Sequence, residues 1–75
     1  MSPRQLPIVS GKRIVRALEK AGFEIVSTRG SHCKLRHASL PHIVIVPLHE
    51  EVRAGTLTSI LRQAGLTVDE LKALL

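Results

Sequence analysis

Phe23-Glu24-Ile25-Val26-Ser27-Thr28-Arg29-Gly30-Ser31-His32-Cys33-Lys34-Leu35-Arg36-His37 is the stretch that decides the fold. Residues 23–28 are rich in β-branched and aromatic types, Gly30-Ser31 makes a two-residue turn, and a second strand runs from His32 to His37, so a β-hairpin is expected. Side chains alternate along an extended segment, which sets His32, Lys34 and Arg36 on one face and Cys33 and Leu35 on the other. One imidazole then stands between fixed cations. Histidine exchanges protons near neutrality, and permanent positive charges suit a phosphodiester, so this pattern fits metal-free RNA cleavage. It equally fits a basic strand on a solvated sheet, and the hairpin by itself does not choose between them.

Outward from the hairpin, Ile14, Val15, Leu18 and Ala21 repeat at helical spacing between Ser10, a natural cap, and Gly22, a natural stop. Downstream, Ala38 to Pro41 forms a turn. His42-Ile43-Val44-Ile45-Val46 then reads as a third strand, the most buried of the three, ended by Pro47. Gly55-Thr56 opens a second helix carrying Leu57, Ile60, Leu61 and Ala64, with Gly65 closing it. Thr67-Val68-Asp69-Glu70 has capping-box spacing ahead of a short terminal helix with Leu71, Leu74 and Leu75. The expected architecture is α+β: a two-layer α-β-β-β-α domain with a short extra C-terminal helix, helices on one face of an antiparallel sheet and the other face open. Residues 1–75 form one domain, with 1–9 as an N-terminal arm that holds two of the four prolines and no periodicity.

Size and charge narrow the partners. A chain of 75 residues buries only about 60% of the surface its unfolded form exposes, so stability is modest without a partner. Eleven Lys+Arg against six Asp+Glu leave a net charge of +5, which favours a polyanion. Lys12, Arg13, Arg16 and Lys20 lie in the first helix, and Arg29, Lys34 and Arg36 flank the His32 turn. Phe23 is the only Phe, Tyr or Trp, so bases have few rings to stack on and RNA is expected to be held by its phosphates. The single cysteine closes no internal disulfide, and Met1-Ser2-Pro3-Arg4 opens no signal pattern, so a reducing cytoplasm is expected. No apolar stretch approaches the roughly 20 residues that cross a bilayer.

Taken together, Ser10-Gly11-Lys12, Ala21-Gly22-Phe23, Gly30-Ser31-His32, Lys34-Leu35-Arg36-His37, Val46-Pro47-Leu48-His49 and Gly55-Thr56-Leu57 through Ile60-Leu61 resemble the HicA (YcfA-like) toxin family over about Leu6 to Leu66. The turn Ala38-Ser39-Leu40-Pro41 departs from that pattern, lacking the usual Gly or Asp-Gly. The resemblance implies a fold like the double-stranded-RNA-binding domain and a small ribonuclease of a toxin–antitoxin system acting on messenger RNA. It also implies an essential histidine at His32 and a HicB-type antitoxin covering the active face, with the toxin a monomer or part of a hetero-oligomer.

Metal-free cleavage needs a base for the 2′-hydroxyl, an acid for the leaving 5′-oxygen, and cations against the added charge on phosphorus. His32 is the candidate catalytic residue, and Lys34, Arg36, Ser31, Gly30 and Lys12 are candidate phosphate or RNA contacts. His49 is a possible second acid or base, while His37 and His42 border the strand-two to strand-three turn, where a surface role is expected. No cofactor is implied. A zinc site on Cys33, His37 and His42 is disfavoured, because alternation turns Cys33 inward beside Leu35 and no second cysteine or carboxylate completes a ligand set. The competing function is a non-catalytic RNA- or nucleic-acid-binding adaptor using the same basic face.

Overall fold

The computed structural model describes residues 5–75. Helix α1 (Gly11–Lys20) is followed by strands β1 (Glu24–Arg29), β2 (His32–Arg36) and β3 (Val44–Pro47), then helices α2 (Ala54–Ala64) and α3 (Val68–Leu74). The order is the expected α-β-β-β-α plus a short terminal helix, in the arrangement of a double-stranded-RNA-binding domain. Of the arm, residues 1–4 lie outside the described residues. Val9, at its other end, is buried, and its carbonyl accepts from the Val52 amide at 2.9 Å.

The sheet is antiparallel with β2 at its centre. Cys33 and Leu35 of β2 and Val44 and Val46 of β3 point into the core, where they meet Ile14 and Leu18 of α1 and Leu57 and Ile60 of α2. Among the described residues no polar or charged side chain is buried, so the interior carries no ionic or hydrogen-bonded network that must be kept paired. β3 starts at Val44, not His42, and it is the most buried of the three strands, as expected, with Val44 and Val46 buried and Pro47 half-buried. Only its core face is covered: Ile45, and Ile43 just before the strand, are 44% and 41% exposed on the open side. β-Branched composition reports fitness for a pleated surface rather than burial of both faces, so a run of such residues can still expose one side.

One feature of β1 was not visible in the alternation. The register runs Arg29↔His32, Thr28↔Cys33 and Ser27↔Lys34, then slips, so that Ile25 faces Leu35 and Glu24 faces Arg36. Val26 is the extra residue of a β-bulge. A bulge shifts the parity of everything beyond it. Here it turns Ile25 towards the helix layer and brings Glu24 opposite Arg36.

Helix α2 begins at Ala54, one residue before the expected Gly55, and its N-cap Arg53 makes no side-chain cap bond. α3 is built as its spacing predicts. The Thr67 hydroxyl accepts from the Glu70 amide at 3.1 Å, and the Glu70 carboxylate accepts from the Thr67 amide at 2.8 Å. Leu71 then inserts fully into the core. Loss of a cap of this kind costs about 1 kcal/mol, so Thr67→Ala is expected to lower the unfolding free energy by that amount, seen as a lower urea midpoint with an unchanged m-value.

Candidate nucleic-acid interface

The turn that carries the site is shaped by Gly30, which takes the left-handed conformation at φ 59°. A glycine there lets two residues reverse the chain, which sets Arg29 directly opposite His32 on the open face. Opposed residues have Cβ atoms about 4.5–5.5 Å apart, so Arg29 on β1, like Pro47 on β3, is a direct cross-strand neighbour of His32. Lys34 follows two residues along the same face, opposite Ser27 on one side and Ile45 on the other. His32, Arg29, Lys34 and Arg36 are all exposed. Among the described residues no hydrogen bond engages the His32 ring, which is exposed.

The loop after β3 holds this turn in place and is itself held by the start of α1. The Ser31 carbonyl accepts from the Leu48 amide at 2.6 Å, just past the end of β3, and the Gly11 amide at the start of α1 donates to the His49 carbonyl at 2.8 Å. The approach of α1 to this loop is very close. A Cβ built on Gly11 would sit 2.0 Å from the Pro47 carbonyl oxygen and 2.8 Å from the Leu48 Cα. Only glycine fits between those backbones.

The structure brings His32, Lys34 and Arg36 onto one face, with Ser31 and Gly30 at its end. Lys12 stands elsewhere: it lines a groove between α1 and β1 together with Arg16, Ile25, Thr28 and Cys33, on the helix side of the sheet. The His49 ring borders a small groove with Glu51, Arg53 and Thr56, beyond Pro47, the β3 partner of His32. Arg36 shares its guanidinium with Glu24, Nε to Oε1 3.5 Å, in an exposed pair that contributes at most about 1 kcal/mol. That neighbour partly answers the Arg36 charge, whereas among the described residues Lys34 makes no ion pair.

Arg29 belongs with the site although its position in the chain singles it out less than Lys34. The signal was available: a two-residue turn makes its flanking residues opposite partners. Cys33 is buried, with the Thr28 hydroxyl 3.8 Å from its sulfur, and faces away from His32. Among the described residues no group of three or more His, Cys, Asp or Glu side chains is gathered as a metal site would require. The face therefore offers one proton-exchanging ring, several fixed cations and uncovered backbone at a turn. Such a set can hold a phosphodiester and move a proton at it.

Residues 11–66 match the model of a family described as the HicA toxin of bacterial toxin–antitoxin systems. No curated protein matches the chain.

Proposed function

Because the chain belongs to the HicA toxin family and is thus the toxin of a toxin–antitoxin system, we propose that it is an endoribonuclease acting on messenger RNA, with His32 carrying a proton in the cleavage step. The observation that carries this reading is the exposed His32 ring, unengaged among the described residues, with Arg29 across from it and Lys34 beside it on an uncovered sheet face. The ribose 2′-oxygen attacks phosphorus and the bond to the 5′-oxygen breaks. A base takes the 2′ proton and an acid returns one to the leaving oxygen, giving a 2′,3′-cyclic phosphate and a 5′-hydroxyl. Arg29 and Lys34 oppose the charge that gathers on the phosphoryl oxygens. His32 performs one of the two proton transfers, and His49 is the candidate for the other.

We assign the open face also to the antitoxin, a HicB-type protein. Ile43 and Ile45 lie exposed beside the cations. A partner with acidic and apolar groups would bury the first and neutralise the second. Occupying that face keeps RNA from His32.

Incubating the purified protein with single-stranded RNA in excess EDTA tests the enzyme reading. Cut products ending in cyclic phosphate are expected. Salt-sensitive binding with no cut ends would establish the non-catalytic adaptor instead. Lys34→Ala is expected to weaken RNA binding irrespective of sequence and to flatten the plot of log K against log[salt] by about 0.7, the loss of one phosphate contact on a single strand. A titration by fluorescence anisotropy at several salt concentrations measures it.

A further inference from the structure

At the end of β2 remote from the Gly30 turn lies a cavity of about 540 Å³, lined by Glu24, Arg36, His37, Leu40, Pro41 and His42. Its volume is within the range of small-molecule sites, about 300–1,000 Å³. Two imidazoles in its wall are fixed by their surroundings. His37 Nδ1 accepts from the Ser39 amide at 3.1 Å and lies 2.7 Å from the Ser39 hydroxyl, while the ring meets Phe23 edge-on with centroids 4.9 Å apart. His42 Nε2 donates to the Gln63 carbonyl at 2.8 Å. Those bonds leave Nε2 of His37 and Nδ1 of His42 for other partners.

We propose that this cavity is a base-binding subsite for the RNA strand whose phosphodiester is held at His32. Arg36 is four residues from His32 on the same face, about 13 Å along the strand, a distance that an extended single strand covers in about two nucleotides. Charge decides what the cavity takes. Glu24 already answers the Arg36 guanidinium, and Leu40, Pro41 and Ile43 supply apolar wall, so a second phosphate is poorly matched. A flat, neutral group with hydrogen-bonding edges is well matched. Imidazole and guanidinium planes are the surfaces on which unstacked RNA bases rest when few aromatic rings are present. In a chain with one phenylalanine, this is where a base can be read rather than merely carried past.

The proposal rests on the reading of the His32 face as the RNA-cleaving surface, and its test keeps the two apart. A single-stranded RNA with one mapped cut is remade with an abasic residue at each position flanking the cut. Wild-type protein is assayed for kcat/KM, and His32→Ala protein for affinity by anisotropy, on the same RNAs. One abasic position about two nucleotides from the cut is expected to lower both by about 5- to 150-fold, the factor that loss of one stacked base corresponds to. In His42→Ala protein that penalty is expected to shrink to about twofold or less. The subsite is overturned if cutting proceeds and no flanking abasic position costs more than about twofold. It is overturned equally if the sensitive position stays as sensitive in a folded His42→Ala protein. Should His42→Ala fail to fold, the wild-type scan decides. If wild-type protein binds but does not cut, the nuclease reading falls, and the anisotropy scan on unmapped RNA, abasic at each position in turn, still decides the subsite.

Discussion

His32→Ala protein is expected to cleave RNA about 10²- to 10⁴-fold more slowly than wild type, the usual worth of a positioned proton carrier. The fold should be untouched, because the ring is exposed and bonds to no described residue. Thermal melting therefore separates the two effects: an unchanged midpoint with a collapsed rate is the signature of chemistry lost at an intact site. RNA affinity should fall little, since Arg29, Lys34 and the turn backbone remain. If the rate survives the substitution, proton transfer belongs to another group. His49→Ala, assayed in the same series, then tells whether that group is the histidine that follows β3.

A second large effect is expected far from any titratable group. Gly11→Ala should destabilise the domain by about 3 kcal/mol, the upper end of what overpacking costs, because the atom in the way is a backbone oxygen that cannot rotate aside. A domain of this length has on the order of 4–11 kcal/mol in total. Chemical denaturation measures the loss directly. Activity should fall more than the folded fraction does: moving α1 away from Pro47 and Leu48 also strains the Gly11–His49 and Leu48–Ser31 hydrogen bonds that seat the His32 turn. Gly11→Ser should behave alike, which separates a steric cause from any special property of alanine. A variant as stable as wild type would mean that the loop after β3 yields freely.

Much of this molecule could be read from residue order. The helical spacing of Ile14, Val15 and Leu18, the strand pattern of Cys33 and Leu35, and the Thr67–Glu70 capping box all report local physics, and each element stands where that physics puts it. The grouping of His32, Lys34 and Arg36 followed from strand alternation alone. What escaped was non-local. The bulge at Val26 adds one residue without altering composition, so the pairing of Glu24 with Arg36 could not be foreseen. The exposure of Ile43 and Ile45 depends on what covers the sheet's second face, which their β-branched composition does not report. Lys12 shares the charge of Lys34, yet its helix carries it to the other side of the sheet. The cavity near His37 and His42 arises from the meeting of a bulged strand, a turn and a helix end, none of which announces a hollow by itself.

The bond from the Leu48 amide to the Ser31 carbonyl has a consequence for the timing of synthesis. A ribosome must release residue 48 before the hairpin bearing His32 gains that clasp, and the second helix, which supplies part of the hydrophobic floor beneath β3, emerges later still. Nascent or prematurely terminated chains thus carry every residue of the hairpin without its working geometry. On the proposed reading, the RNA-cutting surface is completed only when translation of the domain is nearly finished, by which time an antitoxin can meet it.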